Sequence, residues 1–126
     1  MFLFLISSTK NLDLRENDLQ DLPRSMKSLS RLEQLDVSFN ELQEMSEDVL
    51  SSSLKVLFVI GNFLEYFPSS LSTCCPSLEE LSLKDNCLEE DVVVYLTSKW
   101  TLQLKKLRRL SISPQKQGQS KGNETH

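Results

Sequence analysis

The chain has 126 residues, 39% hydrophobic and 25% charged, with few glycines and prolines. That is enough for one domain with a substantial core and too little for two. The net charge of −4 hides an asymmetry: residues 1–98 carry 7 Lys/Arg against 17 Asp/Glu (−10), and residues 99–126 carry 7 against 1 (+6). Three cysteines at no framework spacing and one histidine, the last residue, argue against a disulfide scaffold, a zinc site and histidine-based catalysis.

The chain opens on "MFLFLI". This apolar run falls short of the ~7–15 residues of a signal-peptide core and lacks a preceding charge. It is far below the ~20 residues of a membrane span. We expect it to cover the open end of the hydrophobic core, with a poor signal sequence as the alternative.

Four segments then repeat: "TKNLDLRENDL", "LEQLDVSFNEL", "LKVLFVIGNFL" and "LEELSLKDNCL". Aligned on Asn17, Asn40, Asn62 and Asn86, they are spaced 23, 22 and 24 residues apart. Each fits L-x-x-L-x-L-x-x-N-x-L, with Thr9 in place of the first leucine once and Val37 and Val59 in place of the third. The L-x-L core reads as a short strand whose leucines point inward. Stacking the repeats makes one parallel sheet. A regularly spaced asparagine at a bend implies regular partners, because a buried amide without them would cost a few kcal/mol. Stacked asparagines would form a ladder.

Between these segments the chain must return across the other side. "LQDLPRSMKSLSRL" and "LEYFPSSLSTCCPSL" share an apolar-Pro step at Pro23 and Pro68, while "LQEMSEDVLSSSL" suggests a helical turn through Glu47–Leu50. Gly61 stands just before an asparagine, where the bend begins. After Leu88 the period lapses. Residues 89–100 read as a longer helix, acidic at its start and with Lys99 near its end, which suits the helix dipole. Tyr95 and Trp100 read as packing residues of this closing helix. "LRRLSISPQ" looks like a degenerate fifth copy with Gln115 in the asparagine position, and the polar tail after it is expected to be disordered.

This repeat is the leucine-rich repeat signature, and the chain resembles that family across residues 9–88. The resemblance implies an α/β solenoid: a curved parallel β-sheet on the concave face, irregular or short helical returns on the convex side, and a C-terminal capping helix. Residues 1–115 would form it, with the degenerate closing repeat at about 89–115 and a tail at 116–126. The segment "LRENDLQDLPRSMKSLSRLEQLDVSFNEL" is similar to the repeats of the Scribble and Erbin scaffolds. "SLKVLFVIGNFLEYFPSSL" is similar to the repeats of phosphatases that join a pleckstrin-homology domain to leucine-rich repeats. Both are cytoplasmic signalling proteins whose repeats bind partners, so a cytoplasmic location is expected. This chain has neither the PDZ domains of the first nor the phosphatase domain of the second.

No catalytic constellation appears, no glycine-rich phosphate loop is present, and no cofactor or metal is expected. Glu79-Glu80 and Glu89-Glu90 read as solvated positions. "KKLRR" (Lys105–Arg109) could be a targeting patch, yet Leu107 fits the first leucine of the fifth repeat, making its neighbours ordinary exposed charges. A sequon at Asn123 has no other sign of a secretory route beside it.

Function is expected on the exposed x positions of the strand face. There Asn11, Gln34, Val56 and Glu80 share one column, Asp13, Asp36, Phe58 and Ser82 the next, Arg15, Ser38, Ile60 and Lys84 a third, and Glu16, Phe39, Gly61 and Asp85 a fourth. Val56, Phe58 and Ile60, with Phe39 beside them, make an apolar patch rimmed by Asp13, Asp36, Arg15 and Lys84. Phe39 and Ser38 are not required by the repeat and read as free to vary. Such a patch suggests a protein contact. Neither nucleic acid nor membrane insertion is expected. Coverage of the patch by the chain's own ends, and self-association or packing against a longer repeat protein, are the alternatives.

Overall fold

The computed structural model describes residues 8–116. The expected strands form at β1 (Asn11–Asp13), β2 (Gln34–Asp36), β3 (Val56–Phe58), β4 (Glu80–Ser82) and β5 (Arg109–Ser111), all parallel in the order β1-β2-β3-β4-β5. The pairing is in phase throughout, with Leu12, Leu35, Leu57, Leu81 and Leu110 in one continuous row. Leu35, Leu57 and Leu81 are buried, whereas Leu12 and Leu110 at the two ends are only partly so. A row leucine is sealed only when a repeat packs on both of its sides.

The returns differ from one another. The first two contain 3₁₀ turns at Arg24–Ser28 and Glu47–Val49, the latter capped by the Ser46 side chain, which accepts from Asp48 N at 3.1 Å. The third contains the short helix α1 (Leu71–Cys74), and the fourth the helix α2 (Glu90–Gln103). Strands stack at ~4.8 Å, and a helix is ~10 Å across. Returns wider than the strands bend the stack toward the strand side. The architecture is the expected α/β solenoid.

α2 runs three residues beyond its expected end at Trp100. Lys99 therefore lies about one turn short of the C-terminus, and Lys105 reaches the end instead, its Nζ donating to Leu102 O at 2.8 Å. Trp100 is buried, edge-on to Phe67 at 5.7 Å between ring centroids. Tyr95 departs from expectation: it is 56% exposed, because Leu96 and Trp100 form the face that meets the core. The "MFLFLI" segment and residues 117–126 lie outside the described residues. Lys116, expected in the tail, is held to the body: its backbone N–H donates to Asn86 O at 2.7 Å and its Nζ sits 3.7 Å from the Phe63 ring centroid.

The asparagines do what their spacing requires, though not by bonding to one another's amides. Asn40 Nδ2 donates to Val37 O of its own repeat at 2.9 Å and to Leu14 O of the preceding repeat at 3.0 Å. Its Oδ1 accepts from the backbone N–H of Asn17 and of Leu19, both at 3.1 Å. Asn62 and Asn86 repeat the arrangement, accepting from Leu42 N and Leu64 N. Gln115 substitutes in full, accepting from Leu88 N at 3.1 Å and donating to Leu83 O at 2.8 Å. Each amide ties its bend to the previous repeat's backbone.

The residue before each asparagine is left-handed: Glu16 (φ 57°), Phe39 (φ 59°), Gly61 (φ 69°) and Asp85 (φ 59°). Only one of the four is the glycine that such a conformation favours. That glycine answers to a neighbour: a Cβ on Gly61 would stand 2.6 Å from Cδ1 of Phe39. Phe39 lays its ring across the next repeat's bend, and Gly61 leaves room for it.

Candidate interaction face

The strand face carries the candidate residues, and its columns follow from register. Asn11, Gln34, Val56, Glu80 and Arg109 form one column; Asp13, Asp36, Phe58, Ser82 and Ser111 form the other. A third column continues by backbone bonds, as Glu16 N, Phe39 N and Gly61 N donate to Ser38 O, Ile60 O and Lys84 O.

A depression of about 330 Å³ opens on this face. Asp13, Arg15, Gln34, Asp36, Val56 and Phe58 line it, together with Asn11, Leu12 and Leu35. Six of the nine expected contact residues are thus gathered at one place. Asn11, expected in the Gln34 column but not among the nine contact residues, lines it too. Ile60, Phe39 and Lys84 do not line the depression. Phe39 is 50% exposed but committed to Gly61, so it is not the free position that the repeat pattern suggests. Ser38 is likewise not free: it is 1% exposed and its Oγ accepts from Ile60 N at 3.0 Å. Ser82, in the Phe58 column, is also buried.

The polar wall of the depression is held by its own contacts. Arg15 Nε lies 3.0 and 3.2 Å from the two carboxylate oxygens of Asp13, and Nη2 donates to Oδ2 at 2.9 Å. Asp36 Oδ2 stands 3.7 Å from the same Nε. Both aspartates also close turns, Asp13 Oδ1 accepting from Arg15 N and Asp36 Oδ1 from Ser38 N, each at 3.0 Å. The Arg15 side chain, then its backbone N–H, hold the Asp13 carboxyl below the ordinary value of 3.8, and the same contact raises Arg15. Beside this wall Val56 and Phe58 supply a half-buried apolar surface.

Three further ion pairs lie beside the strands. Lys55 meets Glu33 at 3.8 Å, Arg108 meets Glu79 at 3.5 Å, and Arg109 meets Glu80 at 4.0 Å. Arg108 and Arg109 of the basic run are therefore surface partners of the fourth repeat. Among the described residues no group of His, Cys, Asp and Glu has the geometry to hold a metal ion. The cysteines are unbridged, with burial pushing the Cys75 thiol up to about 12 and raising Cys74 and Cys87. No helix among the described residues is long and apolar enough to cross a membrane.

No protein-family model matches the chain. It is 28% identical over 86 residues to Toll-like receptor 1 and, equally, to Toll-like receptor 6 of Homo sapiens, covering 68% of this chain and 11% of each receptor. Among solved structures it is similar to a leucine-rich repeat protein of Leptospira interrogans, with a TM-score of 0.67, 22% identity and coverage of 79% of this chain and 24% of that one. It is also similar to a chain of the Drosophila melanogaster SNF/U2A′ complex, with a TM-score of 0.64, 23% identity and coverage of 79% and 55%. The fold is the leucine-rich repeat solenoid, and these relatives support that family. The finer resemblance to Scribble, Erbin and the phosphatases rests on sequence motifs alone.

Proposed function

We propose that this leucine-rich repeat chain is a non-catalytic module that binds a protein partner through its concave strand face, in intracellular signalling or scaffolding. The observation that carries this reading is the depression in which Val56 and Phe58 adjoin the Arg15–Asp13–Asp36 wall. An apolar surface gains free energy when a partner removes it from water, at ~25 cal/mol per Å². Charges already fixed by their neighbours add specificity without a further ordering cost. The intracellular assignment draws on the unbridged cysteines and on the motif resemblance. A pull-down from cell extract comparing wild type with Phe58→Asp tests the face. Loss of the captured partner, with the circular dichroism spectrum preserved, is the expected result; equal capture by both proteins refutes the assignment.

A second reading, end-to-end association of copies or packing against a longer repeat protein, draws on the outer edges of β1 and β5. Neither has a strand partner among the described residues. Charge opposes the copy-to-copy version. The residues just before the strands read Lys10, Glu33, Lys55, Glu79 and Arg108, alternating in sign. Stacking one copy on another would bring Arg108 beside Lys10. A longer repeat protein could meet either end with a carboxylate.

A further inference from the structure

A second concavity lies beyond the asparagines, where the chain leaves the sheet for the returns. Its volume is about 690 Å³, roughly twice that of the strand-face depression. The third and fourth residues after Asn17, Asn40 and Asn62 line it: Gln20, Gln43 and Glu65, then Asp21, Glu44 and Tyr66. Met45, Phe67 and Pro68 make the apolar floor, and Tyr66, 72% exposed, stands over it. An aromatic side chain so open to water at the edge of an apolar groove is a ready contact for a ligand.

The charge in this groove has one sign. Asp21, Glu41, Glu44 and Glu65 line it, and no lysine or arginine does. Among the described residues Asp21, Glu44 and Glu65 form no ion pair, whereas Asp13, Glu33, Asp36, Glu79 and Glu80 each meet a cation within 4.0 Å. Carboxylates collected in a cleft with an apolar floor focus a negative potential that attracts cations. The exposed Tyr66 ring adds a face on which a guanidinium or ammonium group can rest.

We propose that this groove binds a lysine- or arginine-rich extended segment of a protein partner, a contact separate from the strand-face site. The apolar floor takes the methylene stems of the basic side chains, the carboxylates take their heads, and Tyr66 stacks on one of them. An extended segment advances ~3.3 Å per residue and repeats at the sheet ~4.8 Å, so at least four or five residues are needed to span the three repeats, which fan wider beyond the asparagines.

The test uses the full chain and fluorescein-labelled octa-arginine, followed by fluorescence anisotropy. Glu44→Gln combined with Glu65→Gln should weaken binding at least tenfold. The charge-matched pair Glu33→Gln with Glu79→Gln, at the opposite end of the strands, should change it less than twofold. Tyr66→Ala should weaken it threefold or more. Equal losses from the two glutamate pairs would reduce the effect to diffuse attraction and overturn the proposal, as would an unchanged affinity in Tyr66→Ala. Sedimentation of the unliganded chain supplies the remaining arm. A dimer that the Glu44→Gln/Glu65→Gln pair dissolves would place a second copy's Lys105–Arg109 run in the groove and overturn the assignment to a separate partner. A monomer supports it. Phe58→Asp should leave octa-arginine binding intact, which distinguishes this site's failure from that of the strand face.

Discussion

The strand side and the outer groove handle negative charge in opposite ways. Next to the strands, Lys10, Glu33, Lys55, Glu79 and Arg108 alternate in sign, and Glu33, Glu79 and Glu80 each reach a cation. In the groove, Asp21, Glu44 and Glu65 gather with no cation among the lining residues. Geometry explains the contrast. Strand pairing fixes neighbouring repeats at ~4.8 Å, a distance at which like charges repel appreciably, so the signs alternate before the strands. The like-charged pair on the strands, Asp13 opposite Asp36, shares the Arg15 cation. Past the asparagines the chain fans into wider returns, and an unbalanced column is tolerated. Where the fold does not neutralise charge, a partner can.

Both regions depend on the asparagine rungs that hold the repeats in phase, so breaking a rung has the largest expected effect. Asn62→Ala would leave the Leu42 N–H without its acceptor and remove one of two bonds to each of the Val37 and Ile60 carbonyls, which keep those from Asn40 Nδ2 and Phe39 N. With ~1–3 kcal/mol for one unsatisfied buried group, the loss should be about 1–3 kcal/mol by urea denaturation. A loss under about 1 kcal/mol would mean the rung is dispensable.

Charge reversal addresses the contrast itself. Glu79→Lys places a cation between Lys55 and Arg108 and should cost about 0.5–1 kcal/mol, the scale of a surface pair. Glu44→Lys, in the groove, should be neutral or stabilising. Equal costs in the two variants would erase the distinction between the two regions.

The smallest effect concerns Asp13. Its carboxyl is held below 3.8 by Arg15, so any stability it contributes is present above the unfolded value and lost as pH falls through the lowered folded one. It is an exposed side chain, and the readout is therefore local. A carboxyl NMR titration should place its midpoint below 3.8, and Arg15→Ala should return it toward that value. An unmoved midpoint would show that the Arg15 clamp does not persist in solution.

Much of this was legible from spacing. Asparagines at intervals near 23 residues fixed the strand register, and with it the grouping of Asp13, Arg15, Gln34, Asp36, Val56 and Phe58. Even Gln115 was readable as a rung, because a longer amide offers the same donor and acceptor. Ser38 was not: a hydroxyl on an outward column looks solvated until the next repeat's Ile60 N–H is seen to seek it. The role of Phe39 is hidden from the repeat pattern for a related reason. Its ring direction depends on a left-handed backbone and on Gly61 one repeat later.

The sequence by itself determined which residues repeat, because a buried leucine row and a buried amide tolerate few substitutes and so leave a periodic mark. What only the tertiary structure decided are the relations between unlike positions. The face of α2 that meets the core left Tyr95 outside, and the path of the returns drew Glu44, Glu65 and Tyr66 around one groove. Those relations follow from how irregular segments pack, and packing among non-repeating residues has no period to read.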